Sequence, residues 1–317
     1  MHAWYARVDH ILRRMPDRND TATEGHVLDR PHRRMYRRIG SIVGLVLVMA
    51  GAVAVFRDGA VMDSLARAAR TPDLGALALL VASVAAAQVL SSAVLWVLTQ
   101  RAGRVGLLEM NALVAASTLG NYVPMQAGSI GRVAYHKAVN GIAVRDSLVV
   151  IVQATVLTFV VVCVMGAAAL GAKAAGLPWW SVAFVPVLWL PMAMQPAMRA
   201  FAVAAALRSV EVLAWTLHSW AAFRLSGWPV APETALGASL VACAANLVPF
   251  VGNGLGVREW AVAVAAPVLG GYERDAGLAA ELVGRAVDVA VAVPLGLLAA
   301  AWLIRRVARH ARGQATG

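Results

Sequence analysis

Apolar residues in this chain fall in long uninterrupted stretches, not in the alternating or every-third-residue patterns of water-soluble elements. Such runs lie near 39–56, 74–98, 147–170, 179–198 and 282–304. A helix rising ~1.5 Å per residue needs about 20 mostly apolar residues to cross a bilayer core. Three weaker runs, near 107–123, 203–223 and 232–248, bring the expected number of crossings to about eight. The pattern predicts an all-α fold, a polytopic membrane helical bundle of about eight transmembrane helices.

Composition supports that reading. Of 317 residues, 60% are hydrophobic and 14% charged, with a mean hydropathy of +0.68; no water-soluble globule of this size needs so much apolar surface. The net charge of +11 would raise the question of nucleic acid in a soluble protein, but its distribution points to a membrane and no nucleic-acid partner is expected. Arg7, Arg13, Arg14, Arg18, Arg30, Arg33, Arg34, Arg37 and Arg38 crowd the start, and Arg305, Arg306, Arg309 and Arg312 follow the last apolar run. The positive-inside rule then predicts a multi-pass protein of the plasma (inner) membrane with both termini cytoplasmic and an even number of crossings. The expected organisation is a basic cytoplasmic tail over 1–38, a transmembrane domain over 39–304 and a basic tail over 305–317. About 38 polar residues precede the first run, which argues against a signal peptide. Loops carrying Arg101 and Arg104, Lys173, and Arg224 should lie inside, and 57–73 outside. Arg132, Lys137 and Arg145 then fall on the outer side, against the rule, which marks them for function.

The chain also repeats itself. Asn121, Val123, Pro124 and Gly131 match Asn246, Val248, Pro249 and Gly256 at an offset of 125. Arg132 and Arg258 follow with a one-residue slip, and upstream Trp96 and Glu109 match Trp220 and Glu233 within one position. The repeat units, about 74–145 and 203–270, each read as a helix, a polar turn, a second helix, a stretch broken by Asn, Pro and Gly (Gly128 in one, Gly252 and Gly254 in the other), and a further apolar run. That last run, about 12 residues, is too short to span. It predicts two re-entrant or broken segments; the alternative is that Pro and Gly merely end ordinary helices at the membrane surface. Non-helical backbone at membrane depth is tolerated only where protein or a wet cavity satisfies it, and paired breaks in two repeats point to a transporter's binding site.

Ser129 and Asn253 stand where they could cap the helix that resumes after each break, leaving free N–H groups facing it, a suitable setting for phosphate. Arg132 and Arg258 are expected in the first turns, where a cation opposes the helix dipole, so a bound anion would account for both. The competing explanations are a local Arg258–Glu259 pair and snorkelling of Arg132 to the headgroups. In the last helix Glu281, Arg285 and Asp288 share one face at i, i+4 and i+7; they should face the bundle interior, pair with one another and adjoin the polar cavity. Glu211 and His218, with Trp215 between them, fit either a proton-linked role or a helix near the interface. Cys163 and Cys243 lie in apolar runs without metal-pair spacing and read as packing. Pro178, Pro186, Pro191 and Pro196 should kink one run, and Trp179, Trp180 and Trp228 read as interfacial anchors. No cofactor or metal is expected.

These motifs resemble the lysylphosphatidylglycerol synthase transmembrane region, a flippase-like integral membrane protein family that also occurs stand-alone, without the soluble synthase domain. The resemblance covers about residues 40–305. Asn121, Pro124, Gly128 and Arg132 match its first signature; Pro249, Gly252, Gly254, Gly256 and Glu259 match its second, and Arg285 a later arginine. Ser129 stands where that signature has an acid, and Gln153 and Ala154 where a Glu-Arg pair is expected. The resemblance implies binding or movement of a phospholipid or polyprenyl-linked lipid, and the chain alone is not expected to aminoacylate lipids.

The expected function is therefore a lipid translocase that holds an anionic lipid or polyprenyl-phosphate headgroup in an intramembrane polar cavity. Its expected binding residues are Asn121, Pro124, Gly128, Arg132, Asn246, Pro249, Gly254, Gly256, Arg258, Glu259, Glu281, Arg285 and Asp288. The alternative is a non-transporting scaffold for a partner, a lipid-modifying enzyme. A membrane glycosyltransferase or phosphatase would need paired carboxylates, a metal cluster or an activated nucleophile, which no loop supplies, so catalysis is not expected.

Overall fold

The computed structural model describes Ala66, Arg70 and residues 73–122, 127–247 and 256–315. The basic tail over 1–38, the first apolar run, and Pro124, Pro249, Gly252, Asn253 and Gly254 lie outside the described residues.

The described residues are helical, with no strand among them. We number the α-helices α1 (Leu74–Thr99), α2 (Leu107–Gly120), α3 (Ala127–Asn140), α4 (Val144–Ala174), α5 (Leu190–Ala193), α6 (Arg199–Leu225), α7 (Pro232–Ala245), α8 (Val257–Gly270) and α9 (Arg274–Ala315). Four of them, α1, α4, α6 and α9, are long and apolar enough to cross a membrane. With Leu108, Leu170, Val268 and Leu298 exposed on the outside, this is a membrane-embedded helical protein. At 14 residues each, α2 and α7 are only about 21 Å long and cannot cross alone. The run 179–198 is not one α-helix: Trp179–Trp189 winds as a 3₁₀ helix and α5 adds a single turn. Pro186, Pro191 and Pro196 each lack the N–H that a continuous α-helical ladder needs there.

Element order repeats. A long helix, two 14-residue helices and a long helix occur as α1–α4 and again as α6–α9, separated by the 3₁₀ helix and α5. Packing between the halves is reciprocal, α2 lying on α9 and α7 on α4, while the two leading helices α1 and α6 lie against each other.

Polar contacts set the directions. Asp73 caps α1, accepting from the N–H groups of Gly75 (3.0 Å) and Ala76 (3.1 Å), and its other oxygen pairs with Arg224 Nε at the end of α6 (2.7 Å). At the opposite end Arg101, just past α1, donates to the Ala197 carbonyl just before α6 (2.8 Å). α1 and α6 are therefore antiparallel, so equivalent helices of the two halves run in opposite directions.

The short helices form hairpins. Glu109 near the start of α2 accepts from Tyr135 (3.0 Å) and Asn140 (3.1 Å) near the end of α3, so α2–α3 leaves and returns to the Arg101 end. Arg306 of α9 reaches the same carboxylate at 2.9 Å. At the Asp73 end, Gly270 closing α8 abuts Thr234 of α7, and Tyr272 donates to the Pro229 carbonyl (3.2 Å).

This arrangement corrects the expected loop placement. Arg101 and Arg224 lie at opposite ends of one antiparallel pair, so the loops bearing them cannot share a side; Arg224 instead sits with Asp73. Lys137 and Arg145, expected opposite Arg101, lie at its end, because α3 returns antiparallel to α2.

Candidate functional site

Each hairpin tip is built from backbone groups that need local partners. Asn121 ends α2, and its Oδ1 accepts from the Ser129 N–H at 3.1 Å, so the asparagine serves the first turn of α3 and Ser129 is the donor. Gly128 packs so closely on α2 that a Cβ there would lie 1.9 Å from the Ser117 carbonyl oxygen; its role is close helix approach. In the second half Asn246 ends α7. Gly256 enters α8 with φ of 82°, a region that favours glycine, and its N–H donates to Glu259 Oε2 at 2.7 Å.

The two tips meet at one polar cavity of two adjoining lobes, about 300 and 320 Å³. Thr118, Asn121, Glu211, Trp215 and Asn246 line both lobes. The first lobe adds Arg258, Arg285 and Asp288, and the second adds Ser129, Arg132 and Arg208. Both halves thus contribute their asparagine and their arginine to the cavity wall.

The arginines differ in what they already hold. Arg258, 2% exposed, makes an ionic contact from Nε to Glu281 (2.6 Å) and from Nη1 to Asp288 (3.4 Å), and its guanidinium lies 5.1 Å from the Trp215 ring centre. Arg285 donates to Glu259 at 3.0 Å and Arg208 to Glu211 at 2.6 Å. No carboxylate among the described residues pairs with Arg132, which stands on α3 beside the hydroxyl-bearing side of the cavity. Buried charge persists where it is paired, so Arg258 is fully engaged within the protein and Arg132 is not.

Several expectations are corrected here. Glu281, Arg285 and Asp288 do face the interior but do not pair with one another; sharing one face of α9 turns all three toward α8, whose Arg258 and Glu259 supply the opposite charges. The local Arg258–Glu259 pair is absent because neighbouring helical residues point in different directions. Arg132 is in the second turn of α3, not the first, and Ser129 is not a cap. Glu211 and His218 are 5% and 1% exposed, so their helix crosses the interior instead of skirting the interface.

Sequence reasoning missed Arg208 and Glu109. The i, i+3 spacing of Arg208 and Glu211 in an apolar helix was a usable signal. Nothing local announces that Glu109 gathers three partners from two other helices. Among the described residues no group of His, Cys, Asp and Glu is arranged to hold a metal ion. No family model, curated protein or solved structure matches the chain.

Proposed function

We propose that the protein is an integral membrane lipid translocase in which the two hairpins are re-entrant and an anionic headgroup, of a phospholipid or a polyprenyl phosphate, enters the cavity between their tips. The observation that carries this reading is the placement of Arg132, a guanidinium without a carboxylate partner among the described residues, on a cavity that residues ending both short helices, Asn121 and Asn246, line. An uncompensated cation near the membrane middle is costly, and a headgroup phosphate is its natural counter-charge. Asn121, Ser129 and Thr118 offer uncharged polar contacts beside it, while the lipid tails remain in the bilayer.

Orientation follows from the same geometry. Among the described residues the Arg101 end carries Arg101, Arg104, Lys137, Arg145, Arg199, Arg305, Arg306 and Arg309 against Glu109 and Asp146, whereas at the Asp73 end Arg70, Lys173, Arg224 and Arg274 face Asp73, Glu233, Glu273 and Asp275. The positive-inside rule makes the Arg101 end, and with it the C-terminus, cytoplasmic. In this reading the membrane is the plasma (inner) membrane, and the resemblance to the lysylphosphatidylglycerol synthase transmembrane region points to the same class of cargo.

The test is reconstitution in liposomes with labelled anionic and zwitterionic lipids. Arg132→Ala should abolish transfer of the anionic lipid while the melting temperature stays level or rises, since no pair is broken. Arg258→Ala should lower stability by about 3–5 kcal/mol by stranding Glu281 and Asp288. Absence of transfer by the native chain, or full transfer by Arg132→Ala, overturns the reading.

A further inference from the structure

Behind the cavity wall lies a histidine that the headgroup reading does not use. His218 on α6 is 1% exposed, and neither ring nitrogen has a hydrogen-bond partner among the described residues. Nε2 faces the α9 backbone at Gly284, where an added Cβ would sit 2.7 Å from it, so no polar partner enters from that side. Nδ1 lies 3.8 Å from Asp288 Oδ1, itself buried and without a hydrogen-bond partner. Buried polar atoms are rarely left unpaired without a reason. A proton on Nδ1 would satisfy that nitrogen and Asp288 Oδ1 once the side chains close by about 1 Å, the difference from ordinary N–H···O geometry; the neutral ring can place its own proton there, so the case for one further proton rests on charge.

Charge balance leads to the same place. Arg258 and Arg285 face Glu259, Glu281 and Asp288, two guanidinium groups against three carboxylates. With a neutral imidazole this cluster holds one excess negative charge, which an apolar interior penalises; one added proton removes it. Among the described residues, Arg132 on α3 stands in the adjoining lobe of the cavity and Glu109 of α2 is taken by Arg306, and the elements packed on α6 offer no balancing group for the cluster. α1 has no ionisable residue, the 3₁₀ helix and α5 have none, and the charged residues of α4 stand at its ends, Arg145, Asp146 and Lys173. From α7 come only the Cys243 thiol and the exposed Glu233, and on α6 itself Arg208 and Glu211 neutralise each other.

We propose that His218 and Asp288 form an exchangeable-proton site in which one proton from cavity water binds the imidazole and is shared, through Nδ1–H, with the Asp288 carboxylate. Asp288 lines the cavity, which gives the proton its route. Asp288 also contacts Arg258, so proton uptake draws the carboxylate from Arg258 toward His218 and links protonation to the cavity wall. The site depends on this geometry and not on what the cavity carries.

Trp215 supplies the readout, its ring centre lying 4.9 Å from that of His218, close enough for an imidazolium to quench its emission. The full chain in nanodiscs of zwitterionic lipid alone would be titrated with acid, and the emission of Trp215→Phe subtracted from that of the native protein. The expected result is a one-proton step that disappears in His218→Gln and moves by a pH unit or more in Asp288→Asn. A flat native curve, a step that survives His218→Gln, or a step that changes between sodium and potassium buffers overturns the proposal. Should His218→Gln not fold, Asp288→Asn decides, and an unmoved step there overturns it too. Because no anionic lipid is present, this outcome is independent of whether the protein transports one.

Discussion

The two glycine positions at the hairpin tips do different work, and neither needs a ligand to explain it. Gly256 supplies a left-handed backbone angle at the entry to α8. Gly128 lets α3 press its backbone onto the Ser117 carbonyl, the kind of close approach by which small residues drive helix association in lipid. Gly128→Ala places a carbon inside the contact distance of a backbone oxygen that cannot swing away, so the α2–α3 hairpin must separate. We expect a loss of about 1–3 kcal/mol, as for other overpacked sites, measured as a lower melting temperature in detergent; an unchanged value would show that the tip can open at no cost. The types of residue at the tips were readable in the chain, and so was the interior face of α9. Their partners were not, because Glu281, Arg285 and Asp288 look equally able to pair among themselves until α8 is placed against them.

Helix boundaries follow local chemistry closely. Asp73 caps α1, Pro232 opens α7 where its missing N–H is no loss, and the prolines of 179–198 prevent a continuous α-helix. The Asp73 cap also joins elements, and it is pH-sensitive. The Ala76 N–H, then the Arg224 guanidinium, hold its carboxyl below the usual carboxylate range. A carboxylate whose folded value is depressed stabilises the folded form above its ordinary value and loses that contribution as pH falls through the depressed one. Hydrogen-exchange protection of the Gly75 and Ala76 amides should therefore hold down to the ordinary carboxylate range and collapse only below it, and Asp73→Asn should remove this acid dependence. Protection that declines equally in both proteins would mean that the cap does not tie α1 to α6.

For the molecule as a whole, the reversed direction of α6 relative to α1 governs everything else. It places one hairpin at each end of the bundle, brings both tips to one cavity, and separates Arg101 from Arg224. The arrangement is checked by single cysteines introduced at Arg104, Lys137 and Arg224, with Cys163 and Cys243 replaced by alanine. In sealed vesicles a membrane-impermeant thiol reagent should reach Arg104→Cys and Lys137→Cys from one side and Arg224→Cys from the other. If Lys137→Cys and Arg104→Cys react from opposite sides, α2–α3 crosses the membrane and the hairpin is wrong. Apolar run length alone determined that this is a membrane-embedded helical chain, and the spacing of Asn, Pro, Gly and Arg determined where its breaks fall, since both depend on contacts within a few residues. Only the tertiary structure decided that Arg258 is held by Glu281 and Asp288 while Arg132 has no carboxylate partner among the described residues. Charge pairing across α3, α8 and α9 depends on direction and depth, and neither is written in any local stretch of the chain.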